Sequence, residues 1–180
     1  MVITYDPAKR EITLRERGLD FDDAATVFTG IHATLGADRK DFGEPRFITA
    51  GFLKGRMVVL YFYPKDDTTG CTKEAIAFGE AMTQLEKLGA TVIGISRDSV
   101  ASHDKFKAKY DLPFALVSDA DGTLCQAYGV WVEKSMYGRK YMGIDRSTYV
   151  IDAKGVVRHA WRKVKVPGHV DEVMAAVKVL

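Results

Sequence analysis

The segment Val58–Phe78 restricts the folds open to this chain more than any other stretch. Val58–Tyr63 is an unbroken apolar run rich in β-branched and aromatic residues, which is typical of a strand buried on both faces, and Pro64 ends it. After a polar loop, apolar residues recur at helical spacing from Ala75 onwards. The segment therefore predicts a buried strand, a loop and an amphipathic helix that holds Cys71 in its first turn.

A cysteine at the start of a helix is suited to nucleophilic chemistry. Free amide N–H groups and the positive end of the helix dipole stabilise a thiolate there, and the thiolate is the reactive form. Pro64, Thr68 and Cys71 follow the spacing P-x-x-x-T-x-x-C. A buried, unreactive thiol is the alternative for Cys71 taken alone.

Charge and cysteine counts argue against several other classes of protein. The 180-residue chain has a net charge of +2, too mild to indicate nucleic-acid binding. Charges balance in residues 1–56, with nine Lys or Arg and nine Asp or Glu, and nearly so in residues 57–180, with 17 and 15. No apolar run approaches the roughly 18 residues of a membrane span, and no signal-peptide pattern opens the sequence. Two cysteines are too few for a disulfide scaffold, so we expect a cytoplasmic protein with a reactive thiol.

The first 56 residues predict a small α+β arrangement. Asp6 and Pro7 favour a helix start, because aspartate caps helices and proline suits the first helical position. The predicted elements are a strand at 2–5, a helix at 7–17 ended by Gly18, a helix at 21–28 ended by Gly30, and strands at 31–35 and 46–53.

Strands and helices alternate regularly after residue 57. The predicted strands are 58–63, 91–96, 114–117, 147–151 and 156–161, the last two forming a hairpin. Predicted helices begin at Cys71, at Ser99 or Ser102, after the turn 119–122, and at His169. This order predicts an α/β, thioredoxin-like three-layer sandwich with a small α+β N-terminal appendage.

From about residue 57 to residue 180 the chain resembles peroxiredoxins of the bacterioferritin-comigratory or PrxQ type. The likeness implies a thiol peroxidase for hydrogen peroxide and organic hydroperoxides, with Cys71 as the peroxidatic nucleophile. It also implies that Thr68 orients the peroxide, that Pro64 shields the pocket, and that Arg146 supplies a fixed positive charge. The segments that carry it, besides the cysteine motif, are TVIGISRDSVASHDKFKAKYDLPF, SDADGTLCQAYGVW, EKSMYGRKYMGIDRSTYVID and KVKVPGHVDEV.

The sequence lacks the resolving cysteine that many PrxQ enzymes use to recycle the oxidised cysteine. Many PrxQ enzymes have a resolving cysteine five residues after the first, and here that position is Ile76. Cys125 is the only other thiol; it is either a resolving cysteine or a core residue, and its apolar neighbours favour the core. Thioredoxin or another small thiol would then reduce Cys71 directly, without any cofactor. The chain has no C-x-x-C motif of its own.

Several other residues have competing interpretations. Arg146 is otherwise a surface strand residue, and Thr68 is otherwise a helix cap. Glu74 either supports the arginine or favours the helix dipole. Trp131 and Tyr137 are expected in a loop, where they pack or line the rim of the pocket. The four histidines show no metal-ligand spacing, so no metal site is expected; they are His32, His103, His159 and His169.

Residues 1–60 instead resemble the BrnT family of ribonuclease toxins. The alternative functions are therefore a toxin-type ribonuclease, an antitoxin-binding module, or an inert fusion of residues 1–56 with residues 57–180. Strand 57–63 has only two edges, and we expect strands 91–96 and 147–151 to occupy them. The expected partners are a peroxide and a thiol reductant, without nucleic acid or membrane, acting on a monomer or dimer. The BrnT-like segments are ITYDPAKREITLRERGLDFDDAATVF and EPRFITAGFLKGRMVVL.

Overall fold

The chain divides into two compact units, Met1–Gly55 and Arg56–Leu180. The structure is a computed structural model. It describes residues 7–17, 32–37, 46–51, 56–136 and 138–180. No helix in these described ranges is long and apolar enough to cross a lipid bilayer.

The described part of the first unit contains one helix and one two-stranded sheet. Helix α1 spans Pro7–Arg17, as predicted; the proline suits this position because the first N–H of a helix has no partner within the helix. Strands β1 (His32–Ala37) and β2 (Arg46–Gly51) pair antiparallel, which confirms the two predicted strands. The predicted strand 2–5, the helix 21–28 and the terminating residues Gly18 and Gly30 lie outside the described residues.

The second unit is built on a five-stranded sheet with the order β5-β4-β3-β8-β9. Its central strand β3 pairs parallel with β4 and antiparallel with β8, so both of its edges are occupied as expected. Strand β2 pairs with β1 in a separate sheet. The strands of the second unit are β3 (Met57–Phe62), β4 (Ala90–Ser96), β5 (Ala115–Ser118), β6 (Trp131–Met136), β7 (Arg139–Ile144), β8 (Ser147–Ile151) and β9 (Val157–Arg162).

Helices cover both faces of this sheet. Side chains of a strand alternate between faces, and the face that carries Val59 and Tyr61 of β3, together with Tyr63 just after it, packs against α2, α3 and α5. Phe62 points to the opposite face, where its ring meets Tyr128 at the end of α4, with centroids 5.1 Å apart. The helices are α2 (Thr69–Lys87), α3 (Val100–Tyr110), α4 (Thr123–Ala127) and α5 (His169–Lys178).

Helix α2 carries Cys71, the predicted nucleophile, in its first turn. Its buried apolar residues recur every three or four positions and form one face against the sheet: Cys71, Ala75, Phe78, Met82 and Leu85. Cys71 is the third residue of the helix and only 1% exposed. The predicted position in the first helical turn is therefore confirmed.

The predicted loop around Trp131 is wrong. Trp131 begins β6, which pairs antiparallel with β7 in a separate two-stranded sheet. Most of β7 is exposed, so the hairpin has no apolar alternation that would have revealed it in the sequence. The ring of Trp131 packs under the guanidinium of Arg97, 4.5 Å from the ring centroid, which supports the packing role for this residue. Tyr137 lies outside the described residues.

Candidate active site

Arg146 reaches the sulfur of Cys71 from a distant part of the chain. Its Nη2 lies 3.2 Å from Cys71 Sγ, within hydrogen-bond distance for sulfur. Arg146 directly precedes β8, whose first residue Ser147 stands opposite Phe62 at the end of β3. Because β3 and β8 are antiparallel, the start of β8 lies at the same end of the sheet as the loop that leads to Cys71. The alternative role of Arg146 as a plain surface residue does not fit this contact.

Glu74 holds the guanidinium from the other side. It follows Cys71 by three positions, so both side chains project from the same face of α2. Its Oε2 forms an ion pair with Nη1 of Arg146, and Glu74 is 0% exposed. Burial raises the pKa of Glu74 to about 7, although the charge and hydrogen bond of Arg146 lower it. Of the two interpretations of Glu74, the structure favours support of the arginine.

The arginine is held in its charged form by its two partners. Burial by itself would lower the pKa of Arg146, but Glu74 and Cys71 raise it above its ordinary value. A cation is thus fixed next to the sulfur before any substrate arrives, which suits stabilisation of a negative charge that moves during a reaction.

Thr68 and Pro64 are exposed residues of the loop between β3 and α2. Thr68 occupies the N-cap position with extended backbone angles, φ −91° and ψ 149°, but its side chain does not cap the helix. Its hydroxyl instead donates to the carbonyl oxygen of Lys65 at 3.1 Å. The capping role for the Thr68 side chain is therefore wrong. The orienting role of Thr68 and the shielding role of Pro64 stay predictions.

Cys125 is buried on the opposite side of the sheet from Cys71. It lies in α4 and is 0% exposed; Tyr128, the residue that follows this helix, contacts Phe62 on that face of the sheet. Burial, reinforced by the Asp119 carboxylate, raises the pKa of the Cys125 thiol. Both cysteines are free thiols. The sheet separates them, which favours a core role for Cys125.

Three of the four histidines are used in packing and hydrogen bonding, and the side chain of His32 lies outside the described part of the chain. His169 is buried, with Nε2 2.7 Å from Thr148 Oγ1, and His159 stacks on Trp161. His103 is also buried, 2.9 Å from Asp66 in the loop before Cys71. Asp66 was not predicted from the sequence; the available signal was an acidic pair in the short loop between a strand and the cysteine helix. The described ranges contain no group of three or more potential metal ligands.

Comparisons with known proteins point to one family. The AhpC/TSA family matches residues 36–160. A putative peroxiredoxin Bcp of Coxiella burnetii is 55% identical over 131 residues, which cover 73% of this chain and 87% of that protein. Peroxiredoxin Bcp of Bacillus subtilis is 48% identical over 125 residues, which cover 69% of this chain and 80% of that protein.

A solved structure agrees with these sequence matches. The bacterioferritin comigratory protein of Xanthomonas campestris, studied for its alkyl peroxide reduction activity, superimposes with a TM-score of 0.67 at 51% identity. The superposition covers 69% of this chain and 80% of that chain. The family match begins at residue 36 and so includes β2, which lies upstream of residue 57, where the sequence resemblance was expected to begin.

Proposed function

The chain belongs to the AhpC/TSA family and is a thiol peroxidase of the Bcp peroxiredoxin type, and within that activity we propose that Cys71 is the peroxidatic residue and Arg146 its charged partner. The thioredoxin-like fold and the peroxidase class predicted from the sequence are confirmed by this membership. The observation that carries the residue assignment is the distance of 3.2 Å between Cys71 Sγ and Arg146 Nη2.

The proposed reaction transfers one oxygen atom to sulfur. The Cys71 thiolate attacks one peroxide oxygen; the S–O bond forms as the O–O bond breaks, and the electron pair departs on the second oxygen. That oxygen leaves as alkoxide or hydroxide and takes a proton from water, while Cys71 becomes a sulfenic acid. Arg146 stabilises the negative charge as it moves from sulfur to the leaving oxygen.

The loop before Cys71 completes the proposed peroxide site. Thr68 donates its hydroxyl hydrogen to Lys65, so its oxygen lone pairs are free to accept a hydrogen bond from the peroxide. Pro64, two residues after the end of β3, is proposed to shield one side of the sulfur. Backbone N–H groups at Gly70 and Cys71 complete the donor set. The alkyl peroxide reduction studied for the Xanthomonas relative supports organic hydroperoxides, besides hydrogen peroxide, as substrates here.

Recycling is proposed to use an external thiol. Ile76, 38% exposed, occupies the position five residues after Cys71, and Cys125 lies beyond the sheet. Thioredoxin or another small thiol therefore attacks the Cys71 sulfenic acid, which releases water and leaves a mixed disulfide; a second thiol then frees Cys71. Such a cycle needs a reducing compartment, so we place the protein in the cytoplasm.

One equivalent of hydrogen peroxide should leave a sulfenic acid on Cys71 and a free thiol on Cys125. We expect mass spectrometry to show a gain of one oxygen, trapped by dimedone on the Cys71 peptide, and alkylation of Cys125 after unfolding. The Cys125→Ala variant is the matched control and should give the same adduct. A loss of two hydrogens, with Cys71 and Cys125 joined in one disulfide-linked peptide, would contradict the one-cysteine cycle.

Replacing Cys125 by alanine should affect stability and leave turnover unchanged. The substitution removes a buried sulfur and leaves a small cavity, at a cost of about 1 kcal/mol in the free energy of unfolding. Urea denaturation measures that cost, and peroxide consumption with thioredoxin and thioredoxin reductase measures turnover. A resolving role for Cys125 would appear as normal oxidation of Cys71 followed by failed turnover.

We propose that residues 57–180 form the peroxidase domain and that residues 1–56 form a BrnT-like appendage. The division of the chain into the units Met1–Gly55 and Arg56–Leu180 supports this boundary. The resemblance of residues 1–60 to BrnT toxins rests on their sequence alone. The comparisons support the peroxidase, and not the ribonuclease, antitoxin-binding or inert alternatives.

A further inference from the structure

The loop that leads to Cys71 contains a buried carboxylate with no part in the chemistry above. Asp66 lies between β3 and α2, and its side chain is only 4% exposed although its neighbours Lys65 and Asp67 are exposed. A carboxylate is seldom buried unless its oxygens are hydrogen-bonded. The partners of Asp66 therefore show what holds this loop.

Three side chains surround the Asp66 carboxylate. The Tyr63 hydroxyl donates to Oδ1 at 2.7 Å, the Ser102 hydroxyl donates to Oδ2 at 2.7 Å, and Nδ1 of His103 lies 2.9 Å from Oδ2. The main-chain N–H of Asp66 donates to Oδ2 of Asp98 at 2.9 Å. Burial would raise the pKa of Asp66, but the hydrogen bonds of His103, Ser102 and Tyr63 lower it below its ordinary value. The ionised carboxylate is the form that this site fits.

His103 faces Asp66 with one ring nitrogen only. Its other nitrogen, Nε2, is buried and has no hydrogen-bond partner among the described residues. Nδ1, the nitrogen that contacts both oxygens of Asp66, at 3.1 and 2.9 Å, is therefore the one through which hydrogen bonding positions the ring.

The next residue of the loop is attached to the same helix. Asp67 has φ 55°, a left-handed conformation that is unusual for a residue with a side chain. Its carboxylate forms an ion pair with Lys109 at 2.7 Å and accepts a hydrogen bond from the Tyr110 hydroxyl at 2.5 Å. Helix α3 thus holds two successive loop residues, one through residues near its start and one through residues at its end.

We propose that Asp66 and His103 are positioning residues of the peroxidase reaction. Their contact fastens the loop to α3, so that the residues on either side of Asp66, Pro64 and Thr68, keep their places around the Cys71 sulfur. Misplacement of a reacting group by about 1 Å can cost about 10²-fold in rate. The proposal rests on the proposed role of Cys71.

The test compares two reactions of the same sulfur. Oxidation by hydrogen peroxide needs the loop to align the O–O bond, whereas alkylation by iodoacetamide needs only an accessible thiolate. The His103→Leu variant removes the donor, and His103→Asn keeps an amide N–H near the position of Nδ1. Asp66→Asn replaces the carboxylate, which accepts from Tyr63, Ser102 and His103, by an amide that has only one accepting oxygen. The matched control is Lys105→Gln, an exposed position on α3.

We expect His103→Leu and Asp66→Asn to lower the second-order rate of Cys71 oxidation about 10-fold or more, with alkylation changed less than about twofold. His103→Asn should stay within about threefold of the parent, and Lys105→Gln should match it. If both rates change together in a folded variant, or neither changes, the positioning role is overturned. Should Asp66→Asn fail to fold, the two His103 variants decide the question. Failure of the parent protein to oxidise Cys71 would instead refute the proposed function.

Discussion

Replacing Cys71 by serine should lower the rate of hydrogen peroxide consumption by at least about 10³-fold. Serine keeps the shape of the side chain, but its hydroxyl is not ionised at neutral pH beside Arg146 and is a weak nucleophile toward a peroxide oxygen. The fold should survive, because the change is nearly isosteric at the start of α2. The measurement is peroxide loss at pH 7 with thioredoxin and its reductase, for both hydrogen peroxide and an organic hydroperoxide.

Cys125→Ala is the matched control for this variant, because it removes the other buried thiol. It should consume peroxide at the rate of the parent protein. Residual activity of Cys71→Ser above a few per cent of the parent would mean that another group performs the chemistry. Loss of activity in the control alone would move the essential thiol to Cys125.

Replacing Arg146 by methionine should lower the rate of Cys71 oxidation about 10²–10³-fold, the range found when a preorganised donor at a developing negative charge is removed. Methionine fills much of the same space but donates no hydrogen bond to Cys71 Sγ. Arg146→Lys keeps the charge but loses the planar pair of donors that reaches Glu74 and Cys71 together. Its oxidation rate should therefore lie between that of the parent protein and that of Arg146→Met. Stopped-flow measurement of sulfenic acid formation separates this first step from recycling.

The Arg146→Met variant leaves Glu74 buried without its cation, which predicts a particular dependence of stability on pH. Burial already raises the pKa of Glu74 to about 7 with Arg146 present, and removing Arg146 raises it further. A carboxyl whose pKa is raised by folding is tolerated while it is protonated and destabilises the fold once it must ionise. Arg146→Met should therefore lose stability as pH rises from about 5 to 8.

The double variant Glu74→Gln/Arg146→Met distinguishes stability from catalysis. Loss of one partner of a buried ion pair costs about 3–5 kcal/mol, and loss of both removes most of that penalty. Thermal denaturation should show that the double variant is more stable than Arg146→Met at pH 8. Its stability should also no longer depend on pH through the side chain that replaces Glu74. Its oxidation rate should stay as low as that of Arg146→Met. Recovery of the rate together with stability would show that Arg146 acts only through the fold.

Much of the second unit could be predicted because its signals are local. The apolar run ending at Pro64 predicted β3, and apolar spacing after Cys71 predicted α2, since burial against a sheet imposes that period on a helix. The hairpin of β6 and β7 was missed because it lacks such a local signal. Most of β7 is exposed, so its sequence has no buried face from which to read a period.

The loop anchors were missed because hydrogen bonds between distant residues leave no pattern in a sequence. Asp66 and His103 are separated by 37 positions. In the sequence Asp66 is one of two loop aspartates, of the kind usually exposed to solvent, and only the fold shows that it is buried beside α3.

By itself, the sequence determined that Cys71 begins an amphipathic helix after a buried strand, and its motifs indicated a peroxiredoxin. These are properties of neighbouring residues, set by backbone preferences and apolar spacing within a few turns. The resemblance implied a positive charge from Arg146, but only the tertiary structure decided that its guanidinium lies 3.2 Å from Cys71 Sγ and that Cys125 lies across the sheet. Strand pairing is the physical reason: the antiparallel register of β3 and β8 brings together residues 75 positions apart, and the alternation of side chains across a sheet keeps the two thiols on opposite faces.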